Sequence, residues 1–413
     1  MQKLFLTNIR KAINVIHMEI MHEFDFYSSH LPHLGLDGMF VFANTGPNDR
    51  HPMTDILAHI RHKTDSRTVH RRHFVKRDGR DLFLYGYKPH TLTPLPEDDG
   101  EVAKGGELRY HPLRDEWNIY APHRQNRTFK PSAADNPLAP SALGGAPTEI
   151  PFTDFELAVF ENKFTSLHAQ APSPASIDGL KLMRAGGRCD VIVYGPEAKG
   201  NLNTIGQDKR RLLLAAWNDR YETLFDQGCE FVLPFENRGD EVGVTLHHPH
   251  GQIYAFPFVP YVQQEAMKAF ENGYDLAAAI KTFKPDYGVA QAGGMTAFCP
   301  PFARFPFETW IAPDDCTRGP WDFSEEGLDG FAHLLGDITR RYDEYFQRPT
   351  AYMLSLHAAP LNAGDKFHFT AQFYPLLRAP GRVKYLASVE QSTGAFTVDV
   401  MPEMAAKTLR ALS

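Results

Sequence analysis

Phe235 to Tyr254 reads FENRGDEVGVTLHHPHGQIY, with His248-Pro249-His250-Gly251-Gln252 at its centre. In an extended strand His248, His250 and Gln252 face the same side, because successive side chains alternate, and His247 faces the other. Gly251 lets a bulky ligand approach the backbone closely. Gln252 offers an amide donor on the histidine face. A histidine needs little activation as a nucleophile, since much of it is neutral near pH 7. These features point to phosphate chemistry. The bare His-x-His motif also admits a metal site or two surface histidines.

The surrounding chain limits the setting. Its 413 residues suffice for two or three domains. Hydrophobic residues make up 43% and charged residues 23%, the balance of a soluble globular protein. A net charge of -7 gives no reason to expect a nucleic-acid or anionic-membrane partner. Cys189, Cys229, Cys299 and Cys316 lie far apart and form no Cys-x-x-Cys pair, so neither a disulfide framework nor a thiolate zinc site is indicated. Charges interrupt the apolar residues of the N-terminus, no apolar run is long enough to span a membrane, and the expected location is the cytoplasm.

Before the central stretch, residues 1–65 are the least patterned. Met1 to Phe26 suits a helix, and the rest mixes Gly, Pro, Asn and His at irregular spacing. A solvated, poorly ordered extension is expected there. Val69 to Tyr87 reads as a hairpin about the turn dipeptide Asp78-Gly79. Trp117 to Tyr120 suits a strand ended by Pro122, followed by His123, Arg124 and Arg127. Phe155 to Phe160 and Asp190 to Tyr194 read as strands. Gln207 to Asp226 has the helical period, with Leu213, Trp217, Tyr221 and Leu224 on one face and Gly228 as the stop. Phe231 to Phe235 and the HPHGQIY run, His248 to Tyr254, follow as strands.

The same order recurs beyond Pro260. Glu308 to Ala312 is a strand, Ser324 caps a helix running to Phe346, and Tyr352 to Leu356 and Phe367 to Tyr374 are strands. HPHGQIY lies over HFTAQFY (His368 to Tyr374) without a gap, and Thr370 takes the place of His250. The pattern is an internal duplication in which the first copy alone keeps the second histidine. The expected fold is α+β: two related halves, 66–260 and 261–413, each an antiparallel sheet with packed helices, behind the 1–65 extension.

These stretches together resemble the galactose-1-phosphate uridylyltransferases, two-half members of the histidine-triad superfamily, over roughly Arg109 to the C-terminus. The likeness rests on RYHPLRDEW with APHRQNR, on VFENKF (Val159 to Phe164), on FENRG followed by HPHGQIY, on QFYPLLR (Gln372 to Arg378) and on the C-terminal MPEMAAKTLRAL. Val69 to Tyr87 also resembles the start of some bacterial members. The resemblance implies a ping-pong exchange in galactose metabolism. His250 attacks the α-phosphorus of UDP-glucose, glucose 1-phosphate leaves, and galactose 1-phosphate takes the uridylyl group to give UDP-galactose. Catalytic roles fall on His250 and Gln252, with His248 in support. Arg124 and Arg127 match the sugar-phosphate clamp, Asn162 a nucleoside contact, and Asn237, Gly243 and Thr245 positions near the diphosphate. Lys384 and Glu390 match a segment that contacts the hexose, and the family's dimer interface implies a homodimer.

The chain departs from that family in places. Asn136 and Ala139 stand at the family's zinc cysteines and Ala198 at or near its later histidine, so His248 alone survives of that site. No cofactor is therefore expected for the covalent chemistry, and no metal. In the second half His357 remains of another metal site, but Thr370 and Gln372 replace histidines. Lys163 replaces an acidic residue beside the nucleoside contact. A related transferase or phosphorylase using another nucleotide sugar such as ADP-glucose is the alternative. An inactive nucleotide-binding protein is a third, which the intact His250, Gln252, Arg124 and Arg127 argue against.

Overall fold

In the computed structural model, residues 56–60, 65–97, 102–103, 105–126 and 135–412 are described. The strands, in chain order, begin with β1 (Ile56–Ile60), β2 (Val69–Val75), β3 (Asp81–Gly86), β4 (Glu107–His111) and β5 (Glu116–Tyr120). Next come β6 (Leu157–Glu161), β7 (Leu182–Arg184), β8 (Arg188–Val193), β9 (Phe231–Arg238) and β10 (His250–Phe256). The second half adds β11 (Gly288–Ala292), β12 (Met295–Phe298), β13 (Thr309–Pro313), β14 (Tyr352–His357) and β15 (Thr370–Pro375). The helices used below are α1 (Gln207–Asp226), α2 (Tyr261–Glu271), α3 (Leu276–Tyr287), α4 (Glu325–Phe346) and α5 (Ser388–Thr393).

Twelve strands form one sheet in the order β1-β2-β3-β6-β8-β10-β9-β14-β15-β13-β12-β11, and β5-β4-β7 form a small one. The duplication is visible in this order. The set β8-α1-β9-β10 pairs as β8-β10-β9, and β13-α4-β14-β15 pairs as β13-β15-β14. The halves fuse edge to edge where β9 runs antiparallel to β14, Phe235 opposite Ser355. One sheet thus serves both halves, where two were expected. At the seam the buried Glu236 carboxylate accepts hydrogen bonds from Tyr194 of the first half at 2.6 Å and Tyr352 of the second at 2.7 Å.

Alternation along the strands divides the core. Ile192 and Ile253 turn to the face covered by α1 and α4, where Leu213, Trp217, Leu335 and Ile338 are buried. Val191 and Val193 turn to the opposite face, under Leu138, Ile150 and Phe152 of the 135–155 loop. In the second half α2 and α3 cover that opposite face. Helices α1 and α4 occupy the spans their periodicity predicts, and the Ser324 hydroxyl caps α4 by accepting from the Gly327 N–H.

Two boundaries differ from expectation. The strand expected at His248 begins at His250, because Pro249 has no N–H to place in a ladder. The expected extension also reaches into the sheet. Ile56–Ile60 forms β1 and pairs along β2, and Asp65 meets the fully buried Arg211 of α1 at 2.9 Å. The helix expected over 1–26 lies outside the described residues.

Candidate active site

Strand β10 places His250, Gln252 and Tyr254 on one face, lining a cleft of about 730 Å³. The imidazole of His250 is fixed by a 2.7 Å hydrogen bond between Nδ1 and the backbone carbonyl of His248. A carbonyl can only accept, so Nδ1 carries the proton and Nε2 keeps its lone pair. Burial lowers the pKa of His250, which favours the neutral ring. The residue thus presents a neutral ring, with Nε2 unprotonated, at the cleft wall. Gln252 stands two residues further along the same face, its amide without a protein hydrogen bond among the described residues.

His248 differs from expectation. It precedes the strand, its ring is 3% exposed, and it does not line the cleft. Its Nε2–H donates to the carbonyl of Gly195 at 2.7 Å, which leaves Nδ1 to accept from the Asn136 amide at 2.9 Å. Both ring nitrogens are engaged, and the peptide of His248 supplies the carbonyl that orients His250. The residues do not fit the family zinc site: among the described residues no group of three or more His, Cys, Asp or Glu is arranged to hold a metal ion. His247 is exposed in the loop before the strand, 3.8 Å from Asp240.

Gly251 also plays another part than expected. It faces the helix side, away from the cleft, and a Cβ there would come within 2.8 Å of the Tyr194 hydroxyl and 3.0 Å of the Phe235 carbonyl oxygen. The glycine makes room for Tyr194, not for a ligand.

The other expected site residues divide into two groups. Arg124 reaches the cleft from a short 3₁₀ turn, Pro122–Asn126, and donates to the Phe164 carbonyl at 2.6 Å. Asn162, at the end of β6, lines the cleft and turns its Oδ1 to the Phe164 N–H. Asn237 of β9 and Gly243 and Thr245 of the β9–β10 loop line it as well, Gly243 in the left-handed conformation (φ +75°) that suits glycine. Arg127 lies outside the described residues. Lys384 and Glu390 are not among the residues lining this cleft. Lys384 donates to Glu390, whose two oxygens also take the N–H groups of Ala387 and Thr397 at 2.7 and 3.0 Å. These backbone bonds, then Lys384, hold the Glu390 carboxyl down to about 2.

The second half repeats the support without a counterpart of His250. His368 donates from Nε2 to the Pro313 carbonyl at 2.9 Å, as His248 does to Gly195. Thr370 occupies the place of His250 and accepts from the Gln372 amide at 2.8 Å. His357, pushed down to about 4 by burial, pairs with Ser355 and with Gln263 of α2.

One wall of the cleft carried no expectation from the sequence. Lys76, Asp78 and Arg80 of the β2–β3 turn line it together with Glu97 and Glu149. The alternation Lys-x-Asp-x-Arg about the turn was the available signal. The partner Glu149 is distant in sequence and gave none.

Comparison with known proteins shows the family. Residues 98–260 match the family model for the galactose-1-phosphate uridyl transferase N-terminal domain, and residues 289–413 match that for its C-terminal domain. The chain is 34% identical over 316 residues to the galactose-1-phosphate uridylyltransferase of Thermotoga maritima, covering 74% of this chain and 98% of that one. It is 28% identical over 357 residues to the Streptomyces lividans enzyme of the same name, covering 81% and 95%. Among solved structures, a uridylyltransferase superposes with a TM-score of 0.67 at 25% identity, covering 74% and 97%. An Arabidopsis thaliana ADP-glucose phosphorylase does so with 0.57 at 22% identity, covering 75% and 99%, a likeness of fold alone. No helix among the described residues is long and apolar enough to cross a membrane.

Proposed function

This chain belongs to the galactose-1-phosphate uridylyltransferase family, and from that premise we propose that it transfers a uridylyl group from UDP-glucose to galactose 1-phosphate through His250. The observation that carries the proposal is the fixed tautomer of His250: Nδ1–H is tied to the His248 carbonyl, and Nε2 is left to react.

In the first step Nε2 forms a bond to the α-phosphorus of UDP-glucose. The bond from that phosphorus to the bridging oxygen breaks, and glucose 1-phosphate leaves with the electron pair. In the second, a phosphate oxygen of galactose 1-phosphate attacks the same phosphorus, the P–N bond breaks, and His250 returns to its neutral state with UDP-galactose as product. Splitting one transfer into two lets donor and acceptor use one cleft in turn. The His248 carbonyl steadies the positive charge the ring gains in the adduct. Gln252 is placed to donate to a nonbridging oxygen as its charge grows. Arg124, with Arg127, suits the sugar-phosphate dianion. Asn162 serves the nucleoside, and Asn237, Gly243 and Thr245 the diphosphate.

We propose further that the protein works as a cytoplasmic homodimer, in which the Lys384–Glu390 segment of a second copy completes the cleft at the hexose. Two features support this: the segment does not line its own cleft, and it exposes Tyr385, Leu386 and Val389. No step is assigned to a metal. The test is incubation with UDP-glucose alone. A burst of up to one equivalent of glucose 1-phosphate and a uridylyl adduct on His250 by mass spectrometry are expected, and His250→Asn should abolish both. An adduct elsewhere, or turnover without one, refutes the mechanism. Parallel incubation with ADP-glucose decides the alternative donor.

A further inference from the structure

The β2–β3 hairpin lies ahead of residue 98, where the family domain begins, yet it builds one end of the cleft. Gln252, Val191, Phe160 and Leu82 are register partners on β10, β8, β6 and β3. Neighbouring strands stand about 4.8 Å apart, so Phe160 lies about 10 Å from Gln252 across the sheet. Val191 and Phe160, with Leu138 of the covering loop, make an apolar slot along this row. The hairpin turn closes it.

The closing wall is polar and tightly tied. Lys76 donates to Glu149 Oε2 at 2.6 Å, and Arg80 donates to the same oxygen at 2.7 Å. Arg80 also grips Asp78 and the Glu161 carbonyl. Lys76 stands 5.7 Å from the Phe160 ring. Glu149 Oε1 has no partner among the described residues, and the buried Oε2 of Glu97 has none either. Lys76 and Arg80 are each matched by a carboxylate, so the wall has little attraction for a second phosphate. A flat ring with a polar edge suits both the slot and its end.

Resting on the uridylyl-transfer reading above, we propose that this wall binds the nucleobase edge of the donor and selects uracil. With the α-phosphorus at His250 and the ribose beside Asn162, the base is directed along the slot toward the hairpin. The edge of uracil presents acceptor, donor, acceptor: two carbonyls flanking an imide N–H. Lys76, Glu149 and Arg80 present donor, acceptor, donor. Cytosine has an unprotonated ring nitrogen at the central position and meets Glu149 with a lone pair. Adenine places its acceptor and amino group in the wrong order. The hairpin is thus part of the substrate site and sets its base specificity.

The experiment is calorimetric binding of UMP, CMP, AMP and ribose 5-phosphate to the full chain, with thermal melts of each variant. The native protein is expected to prefer UMP to CMP and AMP by about tenfold or more, the scale of one hydrogen bond to a charged group. Lys76→Met and Glu149→Gln should each erase most of that preference and leave ribose 5-phosphate binding within about twofold. A native protein that binds UMP and CMP alike overturns the proposal without any variant. So does a folded Lys76→Met or Glu149→Gln protein that keeps the native ratio. The transfer mechanism fails separately, by the absence of an adduct on His250 from UDP-glucose.

Discussion

Asn136→Ala tests whether the nucleophile is positioned from behind. The substitution removes the 2.9 Å donor to Nδ1 of His248 and the 3.1 Å acceptor of the Leu138 N–H. His248 is buried, so its Nδ1 loses a partner that water does not readily replace, and such an orphaned acceptor costs about 1–3 kcal/mol. Asn136 itself is half-buried, which admits some water and favours the low end, about 1–2 kcal/mol. If that ordering is used to hold the His248 carbonyl against Nδ1 of His250, the donor half-reaction should slow by about 5–30-fold. The assay is rapid-quench release of glucose 1-phosphate from UDP-glucose in a single turnover, beside urea melts. Asn136→Asp separates positioning from general damage. A carboxylate beside Nδ1 favours the His248 imidazolium, which donates from both nitrogens and restores the geometry. Relative to native protein at the same pH, this variant should therefore recover rate as pH falls toward 6, while the alanine variant should not. A single-turnover rate for Asn136→Ala within about twofold of native, in protein that melts 1 kcal/mol lower, refutes the relay.

Three further outcomes are expected. Burial depresses His250 below its ordinary 6.5, and the neutral ring reacts, so the donor half-reaction should rise with pH through a midpoint under 6.5 and stay flat above it; a midpoint above 6.5 in single-turnover profiles contradicts the buried nucleophile. Deleting residues 1–65 removes β1 and Asp65 and leaves Arg211 with Asp329 at 2.7 Å and the Glu325 carbonyl at 3.0 Å, whereas deleting 1–55 keeps β1 and Asp65. The longer deletion should cost about 3 kcal/mol more in urea unfolding, the low end for breaking a buried ion pair, and equal stability of the two shows that β1 and Asp65 contribute nothing. Metal analysis should find no stoichiometric zinc, and chelator should leave the melt unchanged; one zinc per chain overturns the assignment of Asn136 to the lost cysteine position.

Much of the scaffold was legible because its signals are local. The apolar period of α1 stops at Gly228, and Ser324 opens α4 with its own side chain. The shared placement of His250 and Gln252 in the cleft was legible because they sit within three residues on one strand face. Less visible was what depends on partners far along the chain. Pro249 delays β10 by two residues, so His248 leaves the face of His250 and turns toward Gly195. Alternation alone cannot show this. Gly251 was understood as room for ligand, but the neighbour that needs the room is Tyr194, brought up by β8 on the helix side. Lys76 and Arg80 read as ordinary hairpin charges until the fold sets Glu149 between them.

The second half differs from the first at the place of His250 and is nonetheless tied to it structurally. Where His250 and Gln252 face an open cleft, Thr370 and Gln372 bond to each other, and Tyr374 donates to Gln372 in turn. Gln263 of α2 meets His357 over the same region. The counterparts of the polar groups that face the cleft in the first half are thus satisfied internally in the second. At the seam its contribution is structural. Strand β14 pairs along β9, opposite Asn237 at Met353, and covers an edge that would otherwise be exposed next to the cleft. Glu236 ties the two strands from beneath through Tyr194 and Tyr352, and burial raises its carboxyl pKa. Tyr194 is also the group that fills the space left by Gly251, directly behind the nucleophile. The seam therefore braces β10 at the residue next to His250.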